Sequence, residues 1–256
     1  MGFLKWMLFL AFVAAVAIAA GVGFALYGGG GVTFTTPDIV PFNSTPVPSD
    51  QASQPSPAVL PAAVILPVPF TTQAPLNDWA NKQHTCEEAT LVMVDRYLKG
   101  DHSGGQIDPG TANAAINQIT AWKPAEDLTD QQFGEMAKAN LGYDYKIFEA
   151  TRDNIKQQLA LGRPVIVGVR THGLGNPHYP GFSTHHEQAG WSVSHFIVVA
   201  GYDNADTVIL NDPGISAGHG YHISFDQLFY AITDLDNAYP NLNQGLIVLV
   251  LAPPAK

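Results

Sequence analysis

From Thr85 to Leu98 the apolar residues Ala89, Val92 and Met93 fall on one helical face, and Thr85 with Glu88 has the spacing of a capping box, so the pattern predicts a helix opening at Thr85. Ala112, Ala115, Ile116 and Ile119 form a second stripe over Thr111 to Trp122. Thr129 and Gln132 repeat the cap spacing ahead of Phe133, Met136 and Ala137, which predicts a helix ending near Asn140. A shorter helix is expected over Asp153 to Leu161, stopped by Gly162. Ser224 and Gln227 offer a last cap before Leu228, Phe229 and Ile232. Strands are signalled at Tyr143 to Phe148, Val165 to Arg170, His195 to Tyr202, Thr207 to Asn211 and Leu246 to Leu251, several rich in β-branched residues. Helices come first and a mainly antiparallel sheet follows, an α+β order rather than regular βαβ alternation.

Ahead of this alternating region the pattern changes twice. Trp6 to Tyr27 is a run without a charged residue, long enough to cross a hydrocarbon layer of about 30 Å, and reads as one transmembrane helix. Lys5 precedes the run and no Lys or Arg follows until Lys82, which orients the main domain outside the cytoplasm. The small residues of Ala17-Ile18-Ala19 offer the alternative of a cleaved signal and a secreted product. From residue 28 to 59 the chain is rich in Gly, Pro, Ser and Thr and reads as a tether. The expected organisation is therefore an anchor at 1–27, a linker at 28–59 and one globular domain at 60–256, with the protein at the cell membrane as a single-pass species.

Composition narrows the partners. A formal net charge of -10 repels a phosphate backbone, so nucleic acid is excluded as a partner class. A single cysteine excludes an intrachain disulfide framework and a Cys-rich zinc site. Seven histidines lie between His172 and His222, and His185-His186-Glu187 is the tightest group. These lack the i, i+4 pair that sets two ligands on one helical face, and no metal or other cofactor is expected.

With Thr85 as N-cap, Cys86 becomes the first residue of a helix, where backbone amides and the positive end of the dipole favour a thiolate. Glu87 and Glu88 oppose that charge, so a base is needed. His195 opens one apolar strand and Asp212 closes the next. A turn centred between Asp203 and Asn204 would set these two directly opposite each other, with a carboxylate on one imidazole nitrogen and the other nitrogen left for a thiol. An acyl-transfer site also needs donors for the oxyanion. The amide of Cys86 is one, and either Gln73 or Gln83 could supply a second. Trp191 and Tyr179, in the loop ahead of His195, could face a substrate or pack within the loop.

Five segments in order, Val68-Pro69-Phe70-Thr71-Thr72-Gln73, Thr85-Cys86-Glu87-Glu88-Ala89-Thr90, Gly162-Arg163-Pro164-Val165-Ile166-Val167, His195-Phe196-Ile197-Val198-Val199-Ala200-Gly201-Tyr202 and Asn211-Asp212-Pro213-Gly214, resemble the double-glycine (bacteriocin-processing) peptidases and their relatives, from about Val68 to Leu251. The resemblance implies a papain-like cysteine peptidase fold with Cys86 as nucleophile, His195 as base, Asp212 as the orienting acid and Gln73 as the oxyanion-hole glutamine. Gln73 is set further from the cysteine than is usual there, and Glu87 stands where many members have glycine. The implied function is hydrolysis of a peptide or amide bond in a peptide or protein substrate, at an envelope or surface location, through an acyl-thioester. A cell-wall peptide amidase or transpeptidase would use the same residues. A non-catalytic peptide-binding module and self-cleavage at Gly28 to Gly31 are the remaining readings.

Overall fold

Thr129 caps a helix as its spacing to Gln132 predicts: its hydroxyl accepts from the Gln132 amide and the Gln132 side chain accepts from the Thr129 amide. Thr151 and Ser224 cap the two later helices in the same way, through the amides of Asn154 and Gln227. The computed structural model describes residues 60–120, 127–179, 193–240, 242 and 247–252. The expected span, the tether, His185, His186 and Trp191 lie outside the described residues. Among the described residues no helix is long and apolar enough to cross a membrane.

In chain order the elements are β1 (Val64–Ile65), α1 (Cys86–Leu98), α2 (Pro109–Thr120), α3 (Asp130–Leu141), β2 (Asp144–Glu149), α4 (Arg152–Ala160), β3 (Val165–Arg170), β4 (Ser194–Tyr202), β5 (Thr207–Asn211), β6 (Tyr221–Ser224), α5 (Phe225–Ala238) and β7 (Ile247–Ala252). The strands form one antiparallel sheet in the order β2-β7-β3-β4-β5-β6. β1 pairs with β4 at Gly201 and Tyr202, just past Val199, which lies opposite Val165 where β3 begins. The expected α+β order with an antiparallel sheet is what the chain adopts.

β3 and β4 occupy the middle of the sheet and are buried almost throughout, which is why they read as continuous apolar runs rather than alternating ones. α1 packs on β4, while α4 and α5 pack on β3. Ten residues of α1 are buried, so this helix runs through the core rather than along its surface. Phe133 of α3 meets Phe196 of β4 with ring centroids 4.9 Å apart, joining the α3 layer to the same strand.

Two expectations are corrected. Thr85 does not form a capping box with Glu88. Its hydroxyl is buried and donates to the carbonyls of Gln73 at 3.0 Å and Lys82 at 3.1 Å, so it closes the preceding loop instead of accepting a helix amide. The β4–β5 register also differs. Val198 pairs with Asn211 and Val199 with Leu210, then a bulge at Ala200 shifts the ladder to Gly201 with Ile209. The turn is longer than a two-residue one, because the Asp203 carboxylate accepts from the amides of Ala205 and Thr207 and closes a loop through Asp206.

Asp130, the first residue of α3, is only 2% exposed. Burial, and then the charge of Asp236, push its carboxyl up to about 7; burial raises that of Asp236 to about 6. A carboxyl raised in the folded state keeps its proton while the unfolded chain releases one. The stability it permits is therefore greatest below about pH 4 and is lost as pH rises towards about 7. Asp130→Asn is expected to stabilise the fold at pH 8 by on the order of 2–4 kcal/mol and to leave it unchanged at pH 4. Thermal unfolding at the two pH values checks this, and an equal shift at both would contradict it.

Candidate functional site

Cys86 begins α1, and the first intrahelical bond runs from Ala89 N–H to the Thr85 carbonyl at 3.1 Å. Because the Thr85 side chain accepts none of the first-turn amides, the positive end of the helix faces the thiol without a side-chain cap across it. The thiol donates to Oε2 of Glu87 at 3.0 Å, and both residues are buried. One turn further along, the Thr90 hydroxyl donates to the Phe196 carbonyl at 3.1 Å, which pins α1 beside His195 on β4.

His195 is 3% exposed and Asp212 is fully buried. His195 Nε2 lies 2.8 Å from Asp212 Oδ1. This contact is the one the sequence anticipates, but it does not arise from direct cross-strand pairing. β5 ends at Asn211, and the Asp212 amide then donates to Gly218 at 2.9 Å, closing a loop whose first residue turns its carboxylate towards the imidazole. The Gly214 amide donates to Oδ1 at 2.9 Å. Bonded in this way, Nε2 leaves Nδ1 as the nitrogen available to another group.

Gln73 ties the two halves together. Its amide donates to the Pro213 carbonyl at 2.9 Å, beside Asp212, and its carbonyl accepts from Thr85, beside Cys86. Its side-chain Nε2 donates to the carbonyls of Lys82 at 2.7 Å and Gln83 at 3.2 Å. Gln73 is buried, whereas Gln83 is exposed and contributes a carbonyl to this network. The Asn211 side chain supports the same segment by donating to the Val68 carbonyl at 3.1 Å.

Tyr179, expected either to face a substrate or to pack within its loop, sets its hydroxyl on a partner 33 residues further along the chain. Its hydroxyl donates to both oxygens of Asp212 at 2.9 Å, and its ring meets that of His195 edge-on with centroids 6.3 Å apart. Burial raises the Tyr179 phenol well above its ordinary range, helped by the charge of Asp212, the hydrogen bond to it and the charge of Cys86.

The histidines outside this cluster have other surroundings. His172 lies 3.6 Å from Asp234, His219 stacks on Phe70 at 5.3 Å, and His222 is exposed on β6. Among the described residues no group of three His, Cys, Asp or Glu is placed to hold a metal ion.

A family model described as Peptidase_C39 like family matches residues 65–245, a stretch that contains Gln73, Cys86, Tyr179, His195 and Asp212. Among solved structures, the chain is similar to a protein assigned as a C39-like peptidase from Bacillus anthracis, with 15% identity, 76% of this chain and 99% of that one covered, and a TM-score of 0.49. It is also similar to Xylellain, a cysteine protease from Xylella fastidiosa, at 13% identity over 77% of this chain and 88% of that one, with a TM-score of 0.36. The Pseudomonas avirulence protein AvrPphB shares 12% identity over 71% of this chain and 95% of its own, with a TM-score of 0.33. No curated protein matches the sequence.

Proposed function

The chain belongs to the Peptidase_C39 like family and is thereby a cysteine peptidase; on that premise we propose that Cys86 is its nucleophile, His195 its base, Asp212 the group that orients His195, and Gln73 part of the oxyanion site, in a domain of papain-like type. The observation that carries this assignment is the buried contact of His195 Nε2 with Asp212 at 2.8 Å, which holds the ring by one nitrogen and assigns the other, Nδ1, to sulfur in this reading.

The reaction follows from these positions. The Cys86 proton passes to His195 Nδ1, and the thiolate attacks the carbonyl carbon of the scissile amide. The developing oxyanion accepts from the Cys86 backbone amide at the helix start, and from the Gln73 carboxamide once it exchanges its longer bond, the 3.2 Å one to Gln83, for the substrate. The imidazolium returns its proton to the amine, the C–N bond breaks and a thioester remains. Water then attacks the thioester with His195 as base, releasing the carboxylic acid and restoring the thiol. Glu87 holds the thiol proton in the resting arrangement, so sulfur gives up this bond before it attacks.

The substrate is a peptide or protein outside the cytoplasm, and the enzyme is held to the cell membrane by Trp6 to Tyr27. The uncharged run and the lone basic residue ahead of it support that placement. One experiment tests both parts: hydrolysis of a peptide library by washed membranes from cells expressing the full chain or its Cys86→Ala form. The expected result is membrane-bound turnover that Cys86→Ala abolishes. Turnover that survives in Cys86→Ala would contradict the mechanism, and turnover confined to the soluble fraction would contradict the anchor.

A further inference from the structure

Asp212 carries more donors than an orienting carboxylate needs. Oδ1 receives His195 Nε2, the Gly214 amide and the Tyr179 hydroxyl, while among the described residues Oδ2 receives the Tyr179 hydroxyl alone. The fit around this phenol is close. A Cβ on Gly214 would lie 2.6 Å from the Tyr179 oxygen and 3.0 Å from both Cε1 and Nε2 of His195. Glycine at 214 leaves room for phenol, imidazole and carboxylate to share the space, and a side chain there would press on the first two.

The segment that delivers Tyr179 is held from several sides. At the end of β3, Arg170 pairs with Asp234 of α5 at 3.1 Å, and the Gln227 side chain of α5 donates to the Gly173 carbonyl. Gly173 lies so close to α5 that a Cβ there would come within 2.4 Å of the Ala231 backbone. The amide of Thr171 donates to the Val193 carbonyl and the amide of Val193 to the Thr171 hydroxyl, both at 3.1 Å, which clasps the two ends of the excursion ahead of β4. Asn176 is fully buried, and it accepts from His178 through its side chain at 3.0 Å and from the Tyr179 amide through its carbonyl at 3.3 Å.

Resting on the Cys86–His195–Asp212 reading above, we propose that Tyr179 is a positioning residue of the peptidase: its hydroxyl fixes the rotation of the Asp212 carboxylate so that Oδ1 stays aligned with His195. Without it, Oδ2 loses the donor that resists rotation about the Cβ–Cγ bond, and the imidazole can settle in orientations that do not present Nδ1 to sulfur. The phenol remains a neutral donor because burial and the neighbouring carboxylate disfavour its ionised form. Tyr179 does not touch the reacting atoms in this role. It acts on turnover through Asp212.

The test is a double-mutant cycle on the full chain with Tyr179→Phe, Asp212→Asn and the pair, read by peptide hydrolysis. Tyr179→Phe is expected to lower kcat by about 10–100-fold with KM within twofold, and to have little further effect in the Asp212→Asn background. An equal loss in both backgrounds, or kcat within twofold of wild type, would overturn the proposal. If Tyr179→Phe does not fold, the wild-type proton NMR spectrum decides. A slowly exchanging phenolic proton with a cross-relaxation peak to the His195 Nε2 proton supports the bond, and a rapidly exchanging phenol with no such peak overturns it. Failure of the parent reading is distinct: His195→Ala would then retain activity whatever Tyr179→Phe does.

Discussion

His195→Ala lowers kcat on a peptide substrate by about 10³–10⁴-fold, the largest effect expected of any single replacement that leaves the cysteine in place. Two losses combine in it. The imidazole is the proton carrier for both halves of the reaction, first from sulfur and then to the leaving amine. Among the described residues it is also the one ionisable base in contact with Asp212, at 2.8 Å. Removing it leaves a fully buried carboxylate supported by Tyr179 and the Gly214 amide, so the variant should also lose on the order of 3 kcal/mol of stability. Assays well below the unfolding temperature separate the two losses. Turnover within tenfold of wild type in folded protein would contradict the assignment.

Gly218→Ala, a replacement that touches no reacting group, should rank second. A Cβ at 218 would lie 1.9 Å from the Asp212 carbonyl oxygen and 3.0 Å from the Asp212 Cβ, distances that only a backbone shift can relieve. The shift cannot be local, because the Asp212 amide donates to the Gly218 carbonyl at 2.9 Å and the Gly218 amide to Ile215 at 3.2 Å. Opening that loop moves Asp212 away from His195. The expected outcome is a loss of about 2–4 kcal/mol in stability and at least about 10²-fold in kcat, with Cys86 and His195 both intact. Gly105→Ala is the matched control, since its nearest obstacle is a serine side-chain oxygen 3.8 Å away. Similar unfolding curves for Gly218→Ala and Gly105→Ala would show that the loop does not hold Asp212 as described.

Much of the framework is legible in the residues because it is encoded locally. β3 and β5 occur with the expected bounds, and the caps at Thr129 and Ser224 work through the anticipated partners. Periodicity and cap chemistry are properties of a few neighbouring residues, and tertiary packing did not oppose them. α2 begins at Pro109 rather than Thr111, and the signal was present: the Asp108 carboxylate accepts from the Thr111 amide at 2.8 Å with proline in the first helical position. β1 and β6 are too short, at 2 and 4 residues, to show a period, and pairing with β4 and β5 is what makes them strands.

The candidate site was legible in its members and only partly in its geometry. Cys86 heads its helix as expected, yet Thr85 does something different from capping because the Gln73 and Lys82 carbonyls, remote in the pattern, claim its hydroxyl. His195 and Asp212 meet, although the register that led to the pairing is displaced by the bulge at Ala200 and the longer turn. The loop after Asn211 offsets that displacement by turning the Asp212 carboxylate towards His195. Tyr179 could not be assigned from sequence, since a phenol in a loop carries no mark of a carboxylate 33 positions away.

Whether Cys86 is a nucleophile activated by His195 is decided by alkylating the full chain with iodoacetamide across pH. With one cysteine in the sequence, thiol alkylation located by peptide mass reports on Cys86 alone. The expected result is rapid labelling that persists well below the ordinary thiol range at about 8.5 and is lost in folded His195→Ala. Labelling that is slow, follows an ordinary thiol titration and is the same in both proteins would contradict it.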